Sequence, residues 1–221
     1  MLQEILKLVK NSENFVITSH VNPDGDSIGS EIAMYLYLKK LGKNVRVINY
    51  SLTPNNYRFL DENNIIEKFD EHQHIEVLKG ADIIFILDTN EYSRIRTMAE
   101  YVQQSKAKKI CIDHHLGTER NGFDYYILDT NSPATGEILF NFFEYSNNIT
   151  MDKEIAEALY TAIMTDTGSF RFPRTDSDTH KIASKLIQAG ADPVKLFAEV
   201  YDKATIGRLK LLSKFLGNIK L

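Results

Sequence analysis

Phe15-Val16-Ile17-Thr18-Ser19-His20-Val21-Asn22-Pro23-Asp24-Gly25-Asp26-Ser27-Ile28-Gly29-Ser30 joins a short apolar strand to a helix through a loop rich in acids. The aromatic and β-branched opening suits a buried strand. The following stretch, Ser30 to Leu41, is apolar around most of its circumference and stops at Gly42, a residue suited to the left-handed turn that ends many helices. Strand character resumes at Asn44 to Tyr50, where Val45, Val47 and Ile48 surround Arg46. Upstream, Leu2, Ile5, Leu6 and Val9 fall at helical spacing until Asn11 and Ser12 end the pattern. Downstream, strand-like runs recur at Asp82 to Leu87, Lys109 to Ile112 and Tyr125 to Leu128. This alternation predicts an α/β fold with a Rossmann-like, mostly parallel sheet and helices on both faces. From Pro133 onward the periodicity is helical, through Ile138, Leu139, Phe142 and Phe143, then Ile155, Leu159 and Ile163, predicting a helical C-terminal segment. The chain is expected to divide into a principal domain over 1–190 and a helical extension or linker over 191–221. In that extension Leu209, Leu212, Leu216 and Ile219 form a stripe that stops in mid-pattern.

Composition narrows the functional classes. The 221 residues are 43% hydrophobic and 25% charged, enough for one sizeable core. A net charge of −4 argues against a surface that coats duplex nucleic acid, which needs a basic excess. The single cysteine, Cys111, excludes an intramolecular disulfide framework and reads as a small buried hydrophobe. No run approaches the roughly 18 apolar residues of a membrane span, and the first residues read as an amphipathic helix rather than a signal segment. A cytoplasmic location without membrane partners is the expectation, and assembly as a homodimer stays open.

In an open parallel sheet, ligands bind beyond the carboxyl ends of the strands. The first strand leads to His20, Asp24 and Asp26, the Ile83–Leu87 run ends at Asp88, and the Ile110–Ile112 run ends at Asp113-His114-His115. Asp166 follows the Glu154–Met164 helix. Carboxylates converging on one crevice repel one another unless cations or protons intervene. With His20 and His114 the set offers ligands for two divalent ions sharing one carboxylate, a device for clamping a phosphoryl group. Oxygen and imidazole donors without thiolate favour Mn²⁺, ahead of Fe²⁺, Co²⁺ and Mg²⁺. Singly, each residue has a plainer reading: an Asp after a strand often closes a turn, and a lone loop histidine is often inert. Co-location of three strand ends is what favours a metal site.

The pattern His20-x-Asn22-Pro23-Asp24-Gly25-Asp26-Ser27-x-Gly29-Ser30, then Asp88, then Asp113-His114-His115, then Asp166-Thr167-Gly168-x-Phe170 resembles the DHH phosphoesterase family, specifically its nanoRNase group. The resemblance implies that 1–190 is a DHH catalytic domain in which His20 and Asp24 hold one ion, Asp26, His114 and Asp166 hold the other, and Asp88 bridges them. It further implies that His115 meets the scissile phosphate or the leaving oxygen, Asp113 fixes a ring by hydrogen bonding, and Asn22 orients ligands or phosphate. The implied substrates are short single-stranded oligoribonucleotides or 3′-phosphoadenosine 5′-phosphate, with cyclic di-AMP or pApA as relatives of these. Members of the group continue into a smaller domain with a glycine-rich motif ending in His, which this sequence lacks, so the chain reads as a truncated form. Competing readings are a family II-like pyrophosphatase or polyphosphatase, and a non-catalytic nucleotide-binding module.

Other residues are candidates for substrate contact. Arg171, with Arg174, is a candidate phosphate donor just past Asp166, and Ser30 a weaker one at the helix start. Ser132-Pro133 reads as a helix cap, His72 and His74 as a solvated loop, and His180 as helix surface.

Overall fold

In the computed structural model, which describes residues 1–117, 122–203 and 206–219, six strands form one all-parallel sheet. The helix α1 (Leu2–Asn11) leads into β1 (Asn14–Thr18), α2 (Gly25–Lys40) and β2 (Asn44–Asn49). A 3-10 turn at Asn55–Leu60 precedes β3 (Ile66–Lys68), α3 (Glu71–Gly80) and β4 (Ile83–Leu87). A second 3-10 turn (Tyr92–Ile95) and α4 (Met98–Gln104) connect to β5 (Lys108–Asp113) and β6 (Tyr125–Leu128). Then come α5 (Thr135–Ser146), α6 (Lys153–Asp166), α7 (Ser177–Gln188), α8 (Pro193–Phe197), a π turn (Ala198–Asp202) and α9 (Ile206–Gly217).

The strand order β3-β2-β1-β4-β5-β6 is that of a doubly wound sheet. Period-two alternation divides its apolar residues between two layers. Phe15, Ile17, Val47, Ile83, Phe85, Leu87, Ile110 and Ile112 face the core shared with α1, α2, α5 and α6. Val16, Ile48, Ile84 and Ile86 face Leu78 of α3 and Met98 and Val102 of α4. β4 is buried at every position, as a central strand covered on both faces should be. Leu196 and Val200 join the first of these cores, so its packing continues past residue 190.

The expected architecture is therefore present, with three local corrections. β3 is a three-residue strand, too short to stand out in the polar sequence around Ile66. His74 lies in α3 and is buried: its Nδ1 accepts from the Asp70 amide at 2.8 Å and its Nε2 lies 3.3 Å from Glu67, so it is not part of a solvated loop. Ser132 does not cap α5, which begins at Thr135 without a local side-chain cap; Ser132 Oγ instead donates to the Ala134 carbonyl. Cys111 is buried, and His180 is exposed on α7, where it stacks on Phe170.

Candidate metal centre

The sheet order reverses between β1 and β4, and the candidate residues lie where those strands end. His20 follows β1, Asp88 follows β4, and His114 follows β5. Asp24 is the N-cap of α2: its Oδ1 accepts from the amides of Asp26 and Ser27 at 3.0 and 3.1 Å. That leaves Oδ2, on a half-exposed side chain, 3.9 Å from His20 Nε2. Asp26, two residues on in the first turn of α2, is buried. Its carboxylate accepts from the first amides of α5, Thr135 at 2.6 Å and Gly136 at 2.9 Å, and from Ser30 Oγ at 3.3 Å. The start of α5 thus receives from a distant aspartate the capping that its own sequence does not provide.

Asp88 stands between the two imidazoles. Its Oδ2 lies 3.3 Å from His20 Nε2 and its Oδ1 lies 3.7 Å from His114 Nε2. It also accepts from Ser27 Oγ at 2.6 Å and Thr135 Oγ1 at 3.0 Å. Its φ of 60° places it in the left-handed region, which aspartate tolerates better than most residues and which at a site of function is a recurrent form of stored strain. Asp166 is the last residue of α6, at the negative end of the helix dipole, with Oδ2 3.2 Å from His114 Nε2. Neither placement is what stability alone would select.

Three overlapping ligand groups result among the described residues, one of them Asp88, His114 and His115. Ligand atoms of His20, Asp24 and Asp88 lie within 4.8 Å of one another, as do those of Asp26, His114 and Asp166. The hydrogen bonds around His114 test whether a cation fits. Its Nδ1 faces the Ser132 carbonyl at 3.3 Å, an acceptor, so the ring proton belongs there. Nε2 then carries a lone pair, is buried without a hydrogen-bond partner, and faces Asp26, Asp88 and Asp166. A lone pair among carboxylates is a repulsive arrangement that a metal ion converts into a coordination shell.

The electrostatics agree. Burial, followed by the charges of Asp88, Asp166 and Asp24, raises Asp26 well above the usual carboxylate range. Burial and the charges of Asp88 and Asp24 push Asp166 up to about 7. Burial lowers His114. Burial also opposes the charged forms of Asp88 and His20, but their mutual hydrogen bond prevails, lowering Asp88 and raising His20. Such a pocket holds protons in place of the positive charge it lacks.

His115 is half exposed beside this pocket, and its Nδ1 donates to Asp113 Oδ1 at 2.7 Å. That hydrogen bond raises its pKa against the effect of burial. Asp113 is fully buried and accepts the His114 amide with the same oxygen, so it fixes the backbone and one ring of the histidine pair. Asn22 is exposed with φ of 55°, its amide donating to Ser51 Oγ at 3.1 Å. Ser30 is fully buried behind Asp26, where it supports the carboxylate rather than facing the cleft. Arg171 is exposed, and its Nε donates to the Gly168 carbonyl at 2.7 Å. Three residues at the site had no role assigned from the sequence: Ser27 and Thr135, which donate to Asp88, and Arg94, whose carbonyl accepts from the Val21 amide at 2.7 Å. The usable signal for Arg94 was its place on the short turn after β4, at the same sheet edge as the acids.

Residues 14–163 match the family model described as DHH family, N-terminal domain. The chain belongs to the DHH family. Among its relatives is the bifunctional oligoribonuclease and PAP phosphatase NrnA of Thermus thermophilus, 32% identical over 203 residues, which cover 92% of this DHH chain and 56% of that protein. The Bacillus subtilis protein of the same name is 26% identical, over 100% of this chain and 67% of its own length. The chain thus spans between about half and two thirds of these curated relatives. Among solved structures, an exopolyphosphatase-related protein from Bacteroides fragilis superposes with a TM-score of 0.94 at 32% identity, covering 100% of this chain and 65% of that one. A putative family II inorganic pyrophosphatase from Methanococcus jannaschii shares the fold, with a TM-score of 0.58 at 20% identity over 93% of this chain and 64% of its own.

Proposed function

We propose that this DHH chain is the catalytic part of a two-metal phosphoesterase acting on short oligoribonucleotides and on 3′-phosphoadenosine 5′-phosphate. The observation that carries the reading is the buried, unpartnered Nε2 of His114 set among Asp26, Asp88 and Asp166. His20 and Asp24 would hold one divalent ion, Asp26, His114 and Asp166 the other, and Asp88, with one oxygen towards each imidazole, would serve both. Two such ions supply Lewis-acid stabilisation of phosphoryl oxygens and make water acidic enough to attack near neutral pH. The oxygen and imidazole donor set favours Mn²⁺.

The protein groups then have distinct tasks. Asp113, buried and bonded to His115 Nδ1, sets the tautomer and favours the protonated ring. His115 is the half-exposed group at the rim and donates its proton to the oxygen that leaves phosphorus as water adds. Ser27 and Thr135 hold Asp88 against rotation. The oligonucleotide and nucleotide substrates are inferred from the names of relatives at 26–32% identity.

The test is hydrolysis of a diribonucleotide and of 3′-phosphoadenosine 5′-phosphate with Mn²⁺, alongside metal analysis, for the wild type and Asp88→Ala. Two bound ions per chain and turnover that falls about a hundred- to a thousandfold in the variant are expected, as for loss of a group essential to charge stabilisation. Equal turnover by both proteins would defeat the mechanism.

A further inference from the structure

The β4 side of the centre carries a cation that none of these roles uses. Arg94 sits on the 3-10 turn Tyr92–Ile95, its amide donating to Glu91 and its carbonyl accepting from Val21, the residue after His20. Ile95, fully buried, anchors the turn in the second core. The backbone of Arg94 is thereby fixed against the metal loop while its side chain is half-buried. No carboxylate among the described residues forms an ion pair with it, unlike Arg46, which is paired with Glu67. The Arg94 backbone lies one hydrogen bond, 2.7 Å, from the residue that follows His20, which sets the turn against the loop carrying His20 and Asp24.

We propose that Arg94, on the β4 turn beside the His20 loop, binds the terminal phosphate dianion of the substrate, and so favours phosphate monoesters over diester linkages. This rests on the two-metal reading above. Asp24, Asp26, Asp88 and Asp166 carry four negative charges, which two divalent ions neutralise, so a further guanidinium leaves the rim with a surplus positive charge and no paired carboxylate among the described residues. A terminal phosphate offers two negative charges and three non-bridging oxygens, whereas a diester linkage offers one charge and two oxygens. A guanidinium fork is matched to the first through paired N–H donors. Arg171 and Arg174 belong instead to the segment after α6: Arg171 is turned to the Gly168 carbonyl, and the charge of Arg174 acts on Asp166.

Binding of inorganic phosphate and of dimethyl phosphate to the Mn²⁺-loaded chain, measured by calorimetry in mildly alkaline buffer, tests the assignment with the wild type, Arg94→Ala and Arg94→Lys. The structural contact of Arg94 is made by its backbone carbonyl, so the substitutions leave it in place. For Arg94→Ala the expectation is inorganic phosphate binding weakened about 10- to 100-fold, the range for losing a charged hydrogen-bond partner, with dimethyl phosphate changed less than about threefold. Arg94→Lys should fall between the two proteins, and metal stoichiometry should stay at the wild-type value. The ratio of kcat/KM for 3′-phosphoadenosine 5′-phosphate to that for a diribonucleotide should drop in parallel. Unchanged phosphate affinity, equal losses for both anions, or no phosphate binding by the loaded wild type overturns the proposal. Failure of the wild type to take up Mn²⁺ overturns the two-metal reading and this proposal with it, since uncompensated carboxylates repel phosphate.

Discussion

Asp166 and Glu31 show how single residues at this site trade stability for charge placement. Asp166 accepts no hydrogen bond among the described residues to offset its burial, and its carboxyl is pushed up to about 7. Its folded pKa exceeds the unfolded one, so its contribution to stability is present in acid and lost as pH rises through about 7. Metal-free Asp166→Asn should therefore melt at a higher temperature than metal-free wild type at pH 8, with the advantage vanishing near pH 4, while losing Mn²⁺ affinity. Differential scanning fluorimetry with and without Mn²⁺ reads both effects. Glu31 lies fully buried behind His20, accepting from Asn49 Nδ2 at 2.8 Å, while Asn49 Oδ1 accepts the Ser19 amide at 3.1 Å. Burial, only partly countered by Asn49, Ser19 and His20, pushes its carboxyl up from 4.5 to about 8. Below about 4.5 its stabilising contribution is complete, and it declines as pH rises to about 8, by at most about 1.4 kcal/mol per pH unit. Glu31→Gln keeps the neutral shape and should flatten that decline in urea unfolding; an unchanged pH profile would show that Glu31 is ionised in the fold. The acids and imidazoles after each strand were legible because strand ends converge by topology. The supports were not: Ser27, Thr135 and Asn49 are ordinary residue types whose partners lie 61, 47 and 30 positions away.

At the scale of elements, the position of the metal loop depends on how closely α2 approaches α6. A Cβ at Gly29 would collide with the Ala158 carbonyl oxygen, and one at Gly136 of α5 would sit 2.5 Å from Ala162 Cβ. An Ala for Gly change inside an exposed helix ordinarily stabilises by about 1 kcal/mol. Here Gly29→Ala should destabilise by about 1–3 kcal/mol, as overpacking does, and should weaken metal binding because α2 carries Asp24 and Asp26 at its start. Chemical unfolding paired with a Mn²⁺ titration checks the sign, and a more stable variant would contradict the close packing. Helices with an apolar stripe, such as α6, and strands with unbroken apolar runs, such as β4, were readable from their patterns. α3 was not, because its polar sequence Glu71-His72-Gln73-His74 conceals a buried imidazole held by Glu67 and the Asp70 amide. Likewise α5 begins without a cap of its own, so no local signal marked its first residue.

For the molecule as a whole, the reversal of strand order between β1 and β4 gathers side chains far apart in sequence into one crevice. The alternation of strands and helices made the α/β class and the parallel sheet readable, whereas the order of strands depends on pairings the sequence does not display. A centre assembled from several elements should couple cation binding to global stability. Mn²⁺ at a hundred times its dissociation constant should stabilise the fold by about 2.7 kcal/mol for each site that binds only the folded state. Chelation should lower the melting temperature reversibly, and a transition indifferent to Mn²⁺ would count against a folded-state site. The carboxylate of Asp26 adds a historical constraint. Because it also receives the leading amides of α5, exchanging it for imidazole to suit a softer cation would unfasten a helix in the same step. Drift in cation preference has an easier route through Asp24, half exposed and capping only its own helix, than through a residue that two elements share.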